Sequence, residues 1–213
     1  MAYARGLLPV RYQDGTTWNG ATTRGVVQSD YGTAVFVGDP VVMIAAGGST
    51  IPTTTSSPSE SDVMDGTYPQ FNVATAGSTN EIWGVVTSIE PNRSDLSLKH
   101  IKASTGGTVN VARATSDLVF QIGEDTTSDA LTLLDIGSAV DLAAGAGNAT
   151  TGYSGWVIDS DSHATALQAY LVGLANIPGN SDYVDHATLA ANTIWEVTIQ
   201  AIQHAINPAG TGV

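Results

Sequence analysis

The sequence predicts a mainly β fold: an antiparallel sandwich or barrel-like domain with long loops and an irregular N-terminal arm. Three observations carry this expectation. From Thr193 to Ile202, Trp195, Val197, Ile199 and Ala201 fall on one face of an extended chain and Glu196, Thr198 and Gln200 on the other, the period-two pattern of a half-buried strand. The chain has 23 glycines, which suits many turns because turns need residues that accept positive φ. Hydrophobic residues make up 42% and charged residues only 13%, so the polar surface falls to Ser, Thr, Asn, Gln and backbone.

Taken in order, residues 1–32 read as an extended arm. Gly6-Leu7-Leu8-Pro9-Val10-Arg11-Tyr12 is followed by the turn dipeptides Asp14-Gly15 and Asn19-Gly20. Leu7, Leu8, Tyr12 and Trp18 either tuck under the domain or lie on a neighbouring subunit. A β-rich domain spans 33–204. Thr33–Val37 and Val41–Ala45 read as core strands around a Gly38-Asp39-Pro40 corner, since Pro fixes φ and restrains the residue before it. Gly47 to Asn80 includes the Ser/Thr/Pro stretch 53–59 and reads as a surface loop, because such a segment does not offset its ordering entropy alone. Glu81 to Glu90 is a strong strand ended by Pro91. The polar excursion 92–107 marks the place for a subdivision of the domain. Thr108–Ala112 and Asp117–Ile122 continue a meander of strands. Thr127 or Ser128 would cap a short helix through Leu134, ended by Gly137. Ser138–Leu142, Ser154–Ile158 and Leu167–Leu174 are further strands. His186–Ala191 reads as one helical turn before the closing strand, and 205–213 as a flexible tail.

At 213 residues the chain is long enough to bury a core. Its net charge is -13, with seven Lys and Arg, which argues against nucleic acid and anionic membranes as partners, both of which require clustered cations. The charge serves solubility, or an acidic face that meets a basic protein. There is no cysteine, which excludes disulfides, thiol catalysis and Cys-based zinc sites. The N-terminus lacks the pattern of a secretory signal, and no apolar run reaches the roughly 20 residues of a membrane helix.

Reactive motifs are weak. Asp159-Ser160-Asp161-Ser162-His163 starts like a calcium loop, but Ala164 stands where the turn glycine belongs and Tyr170 where the closing glutamate belongs; it reads as a polar turn. Gly152-Tyr153-Ser154-Gly155 lacks the spacing of a nucleophile elbow. Gly145-Ala146-Gly147 has no third glycine and reads as a hairpin turn. His100, His163, His186 and His204 are far apart. No enzymatic activity, metal or cofactor is expected.

Several segments together resemble a family of virion structural proteins of tailed bacteriophages, the head decoration or cement proteins. They are Gly6–Tyr12 with Asp14-Gly15, Phe36-Val37-Gly38-Asp39-Pro40-Val41, Gly84-Val85-Val86 with Glu90-Pro91, and Thr151-Gly152-Tyr153-Ser154. Leu171-Val172-Gly173-Leu174, Pro178-Gly179-Asn180, and Asn192 with Trp195-Glu196-Val197 complete the set. The resemblance implies a non-enzymatic protein on the outer surface of a phage head, assembled in a host cytoplasm. Its partners would be the major capsid protein and itself, as a homotrimer. Such a protein bridges capsomers through many identical interfaces, each of roughly 1,200–2,000 Å². On this reading Leu7, Leu8, Tyr12 and Trp18 anchor intersubunit contacts, and deleting residues 1–20 should weaken capsid binding while leaving the domain folded. The alternative is a host-surface or glycan-binding spike or fibre component, with aromatics near 66–71 and 152–156 as glycan platforms. A hydrolase whose site assembles only in space and a plain scaffold are further alternatives.

Overall fold

The computed structural model describes residues 5–44, 68–77, 80–92, 95–125, 130–163, 168–177, 180 and 193–203. Its strands are β1 (Leu8–Tyr12), β2 (Thr23–Val27), β3 (Pro40–Ile44), β4 (Gln70–Val73), β5 (Gly84–Ile89), β6 (Gly107–Arg113), β7 (Leu118–Gly123), β8 (Ala139–Ala143), β9 (Val157–His163), β10 (Ala169–Leu174) and β11 (Ile194–Ile199). They form two sheets. Strands β2-β4-β3-β5-β6 close into a small barrel, and β1-β7-β11-β10-β8-β9 form a six-stranded sheet. The expected mainly β sandwich or barrel is the fold found. Pairing is antiparallel between all named strands except β2 and β4, whose parallel contact, Val26 beside Gln70, closes the barrel.

The closing strand behaves as its alternation predicts. β11 lies between β7 and β10, with Trp195, Val197 and Ile199 buried on one face. On the other face the Arg11 guanidinium meets the Glu196 carboxylate at 2.6 Å, and Gln121 Nε2 donates to the same carboxylate. The sheet curls until Glu124, just past β7, makes a parallel bridge to Ile158 of β9. Phe120, Ile122, Leu142, Ile158, Leu171, Trp195 and Val197 belong to its core cluster.

The two units share surfaces and hydrogen bonds. Ala74, Ile82, Val85 and Ala114 of the barrel unit join the core cluster of the sheet. Ile82 N–H donates to Ala201 O and Gln203 N–H to Ile82 O. The Gln203 side chain pairs with both backbone groups of Met43. Val37 N–H donates to Gly152 O and Ser154 N–H to Val37 O.

Several expectations need correction. Residues 1–32 are not an irregular arm: within them β1 is an edge strand of the sheet and β2 a barrel strand. A bulge between Pro9 and Arg11 breaks the period of β1, and Pro is tolerated there because the strand is at an edge. The 92–107 excursion returns to the barrel, where Ile101 pairs with Val35 and is buried with it, and the chain passes from barrel to sheet between β6 and β7. Residues 33–37 contribute isolated bridges at Val35 and Val37 rather than a strand. The helix expected through Leu134 is a 3-10 turn, Leu133–Asp135, capped by Thr132. Asp159–His163 is strand, not turn. The stretch 53–59, the caps Thr127 and Ser128, the helical turn 186–191 and the tail 205–213 lie outside the described residues.

Candidate functional site

The four anchors expected at an intersubunit contact divide on folding. Leu7 is 1% exposed and belongs to the core of its own chain; its N–H donates to Gly38 O. It is a core residue, and its part in the expected contact is corrected on that ground. Tyr12 and Trp18 are half-buried against the same core. The hairpin at 13–18 folds back along β1, with Tyr12 N–H donating to Thr16 O and Trp18 N–H to Val10 O. Leu8 alone of the four is 44% exposed. Because β1 pairs with β7 and Leu7 fills the core, removing residues 1–20 would also damage the domain. The expectation that it stays folded is corrected as well.

A second apolar surface was not read from the sequence. Leu134 is 88% exposed, and Ile136 and Tyr170 are also exposed. Leu134 stands on the 3-10 turn, where Leu134 N–H donates to Thr132 Oγ1 and Asp135 Oδ2 accepts from Thr132 N–H and Oγ1. This reciprocal capping box fixes the turn. Gly137 N–H donates to Leu171 O, which ties the turn to β10 beside Tyr170. An exposed leucine held on a fixed turn loses little freedom when a partner covers it.

The buried ionisable groups are tied into the framework. Asp39 is 3% exposed. Its Oδ2 accepts from Phe36 N–H at 2.8 Å. Burial pushes its carboxyl up to about 6, against the opposing pull of hydrogen bonds from Ser154 and Phe36. Ser154, the serine of the elbow-like motif, is thus bound to a carboxylate, and its Oγ accepts from Trp156 N–H. It is buried and acts as a connector. Glu124 lies in the sheet's core, where Oε1 accepts from Leu131 N–H and Oε2 from Trp195 Nε1. Burial raises its carboxyl above the usual range, opposed by those two hydrogen bonds. His100 stacks on Phe36 with ring centroids 4.8 Å apart, and its pKa is lowered by burial and by the Lys102 charge. Among the described residues no group of three or more His, Asp or Glu is placed to hold a metal.

A groove of about 710 Å³ opens between the two units. Tyr31, Phe36 and Asp39, with 73–76, form the barrel side, and 144–147 with Trp156 form the sheet side. Its pieces come from four distant stretches. The sequence signal nearest to it was Ala144-Gly145-Ala146-Gly147, which resembles any small-residue turn. Compared with protein-family models, with curated proteins and with solved structures, the chain gives no match.

Proposed function

We propose that this chain is a non-enzymatic decoration, or cement, protein of a tailed-phage head. It would bind the outer surface of a shell built from a major capsid protein, as a homotrimer, and stabilise contacts between capsomers. The observation that carries the reading is the outward presentation of Leu134, with Ile136 and Tyr170, on a capped turn. Such a patch has the character of an interface centre. Leu8 on the edge strand β1 is a second exposed apolar side chain, and the net charge of -13 favours the face of a shell turned away from packaged nucleic acid.

The test is binding to purified undecorated heads. Leu134→Glu is expected to weaken binding at least about tenfold, with thermal unfolding unchanged because the side chain is exposed. Leu8→Glu is expected to do the same to a smaller degree. Unchanged binding by both variants would remove these surfaces from the interface, and absence of the chain from purified virions would end the reading. Copy number separates the alternative, a spike or fibre component that binds host-surface glycans. That second reading is favoured by exposed Tyr153, over whose ring the Arg5 guanidinium lies 5.5 Å from the centroid. Hundreds of copies per particle mean decoration, and a few tens or fewer mean a tail or vertex component.

A further inference from the structure

We propose that a calcium ion binds on the face of the six-stranded sheet turned away from its core, held between the carboxylates of Asp141 on β8 and Asp159 on β9. The two residues are Cα partners in the β8–β9 ladder. Their neighbours Val140, Leu142 and Ile158 lie in the core, so alternation puts both carboxylates on the opposite face. In a directly opposed antiparallel pair the Cβ atoms stand about 4.5–5.5 Å apart. One ion with bonds of about 2.3–2.6 Å to oxygen reaches both carboxylates.

Asp141 lacks a partner. It is only 9% exposed, and its Oδ1 is buried without a hydrogen bond. A buried acceptor left unpaired costs free energy, and a buried charge left unpaired costs more. The donors beside it in the ladder are spent. Leu142 N–H, next in the chain, donates to Gln168 Oε1, and both Gln168 amide protons go to Thr75 O and Asn80 O. Across the ladder stands Asp159, another acceptor, and like charges directly opposite destabilise a sheet. The ion pairs among the described residues, Arg11–Glu196 and Arg24–Glu90, leave these two acids out. A divalent cation supplies what the pair lacks, since two carboxylates balance its charge.

The ligand set selects calcium. Asp159 Oδ1 accepts from Asp161 N–H at 3.2 Å, which leaves Oδ2 for the ion. Residues 160–162 have no partner on β8, because the register passes from Val140–His163 to Asp141–Asp159. Carbonyls of that bulge and water would complete the shell. Such an irregular oxygen set suits calcium, which takes roughly six to eight oxygens in flexible geometry, whereas magnesium demands a near-ideal octahedron. The calcium-loop start Asp159-Ser160-Asp161 thus supplies one carboxylate, and the second comes from β8 rather than from later positions of the loop. Asp159 is half-buried, which gives the ion a way in. Two carboxylates without a bidentate glutamate fit a weak site, with a Kd on the order of 0.1–1 mM. The site would act in this way whether or not the protein sits on a viral shell.

The test is calorimetric titration of the chelator-treated full chain with calcium chloride at neutral pH, alongside thermal unfolding. One calcium per chain is expected to bind, and about 10 mM calcium to raise the melting temperature by at least about 3 °C. In the unaltered chain calcium should slow amide exchange at 141 and 159–161. Asp141→Asn and Asp159→Asn should each weaken binding at least about tenfold and remove the thermal shift. Both keep the size of the native side chain, and circular dichroism verifies the fold. Asp117→Asn, at an exposed position just before β7, should bind calcium as the unaltered chain does. That separates the site from general attraction of cations to a chain of net charge -13. The proposal is overturned if the unaltered chain binds no calcium, if both site variants bind it equally well, or if Asp117→Asn loses as much as they do. Exchange slowed only elsewhere, or an equal thermal shift with magnesium, overturns it as well. A higher melting temperature of Asp141→Asn, with no calcium response in the unaltered chain, would assign a shared proton to the pair and overturn it too.

Discussion

The barrel and the six-stranded sheet are both β units of similar size, but they are held by different means. The barrel's core is built on Val27, Val35, Val41, Phe71, Trp83, Val86, Ile101, Val109 and Val111, with Tyr31 Oη accepting from Val73 N–H beside them. In the sheet's unit, hydrogen bonds run through the interior. Glu124 accepts from the Trp195 indole there. Gln168, fully buried, donates to Thr75 O and Asn80 O and accepts from Gly77 N–H and Leu142 N–H. Apolar burial is non-directional, so the barrel's closure fixes its shape. Buried hydrogen bonds are directional and costly to break. They register the sheet, and through Gln168 they register the barrel's 75–80 loop against it.

The largest test of that contrast is Trp195→Ala. It removes a fully buried ring and strands the Glu124 carboxylate, and should cost about 5 kcal/mol, enough to unfold a protein of ordinary stability. Circular dichroism would show it, and a well-folded variant with an unchanged melting temperature would remove Trp195 from its place as core anchor. A sharper comparison pairs one conservative change in each unit. Gln168→Leu keeps the approximate size but leaves four backbone groups unpaired, for about 2–4 kcal/mol. Phe71→Leu in the barrel should cost only about 1 kcal/mol, since an apolar core repacks around a change of shape. Urea unfolding of both variants decides it, and equal losses would erase the distinction.

The effect expected at the junction has a definite sign. The Asp39 carboxyl titrates at about 6 in the fold against 3.8 when unperturbed, so the fold disfavours its ionised form. Its contribution to stability is intact below pH 3.8, declines as pH rises towards 6, and is lost above. Asp39→Asn, which keeps an acceptor for Phe36 N–H, should therefore stabilise the protein at pH 8 by about 1–3 kcal/mol and by clearly less at pH 5. A gain of equal size at both pH values would show that burial of the charge is not the cause.

Much of the framework was legible in local pattern. The alternation of Trp195, Val197 and Ile199 located β11 and its buried face, and the Val-rich runs located β3, β5, β6 and β7. β1 was not legible, because its bulge between Pro9 and Arg11 destroys the period and its partner β7 lies more than a hundred residues on. Only the start of β9 was read, within Ser154–Ile158, for a similar reason: its register against β8 shifts between Val140 and Asp141, and the Asp/Ser composition of 159–162 imitates a turn. The exposure of Leu134 was invisible because the leucine sits in an apolar run with buried Leu131, and only the capping box turns it outward. The groove gathers 31–39, 73–76, 144–147 and Trp156, so no local window contains it.

The order of strands in the sheet bears on how the chain folds as it is made. β1 precedes every barrel strand in sequence, yet its partner β7 follows them all, so the barrel is enclosed within a long loop closed by the β1–β7 pair. All the described barrel strands have been synthesised once residue 113 has been made. The sheet then lacks β11, which separates β7 from β10 and is the last of the described strands to be synthesised. Vectorial synthesis therefore favours a barrel that forms early, while β1–β7 and β10–β8–β9 keep open edges, joined at the Glu124–Ile158 bridge, until β11 arrives. In that interval the nascent sheet is open to pairing with other chains.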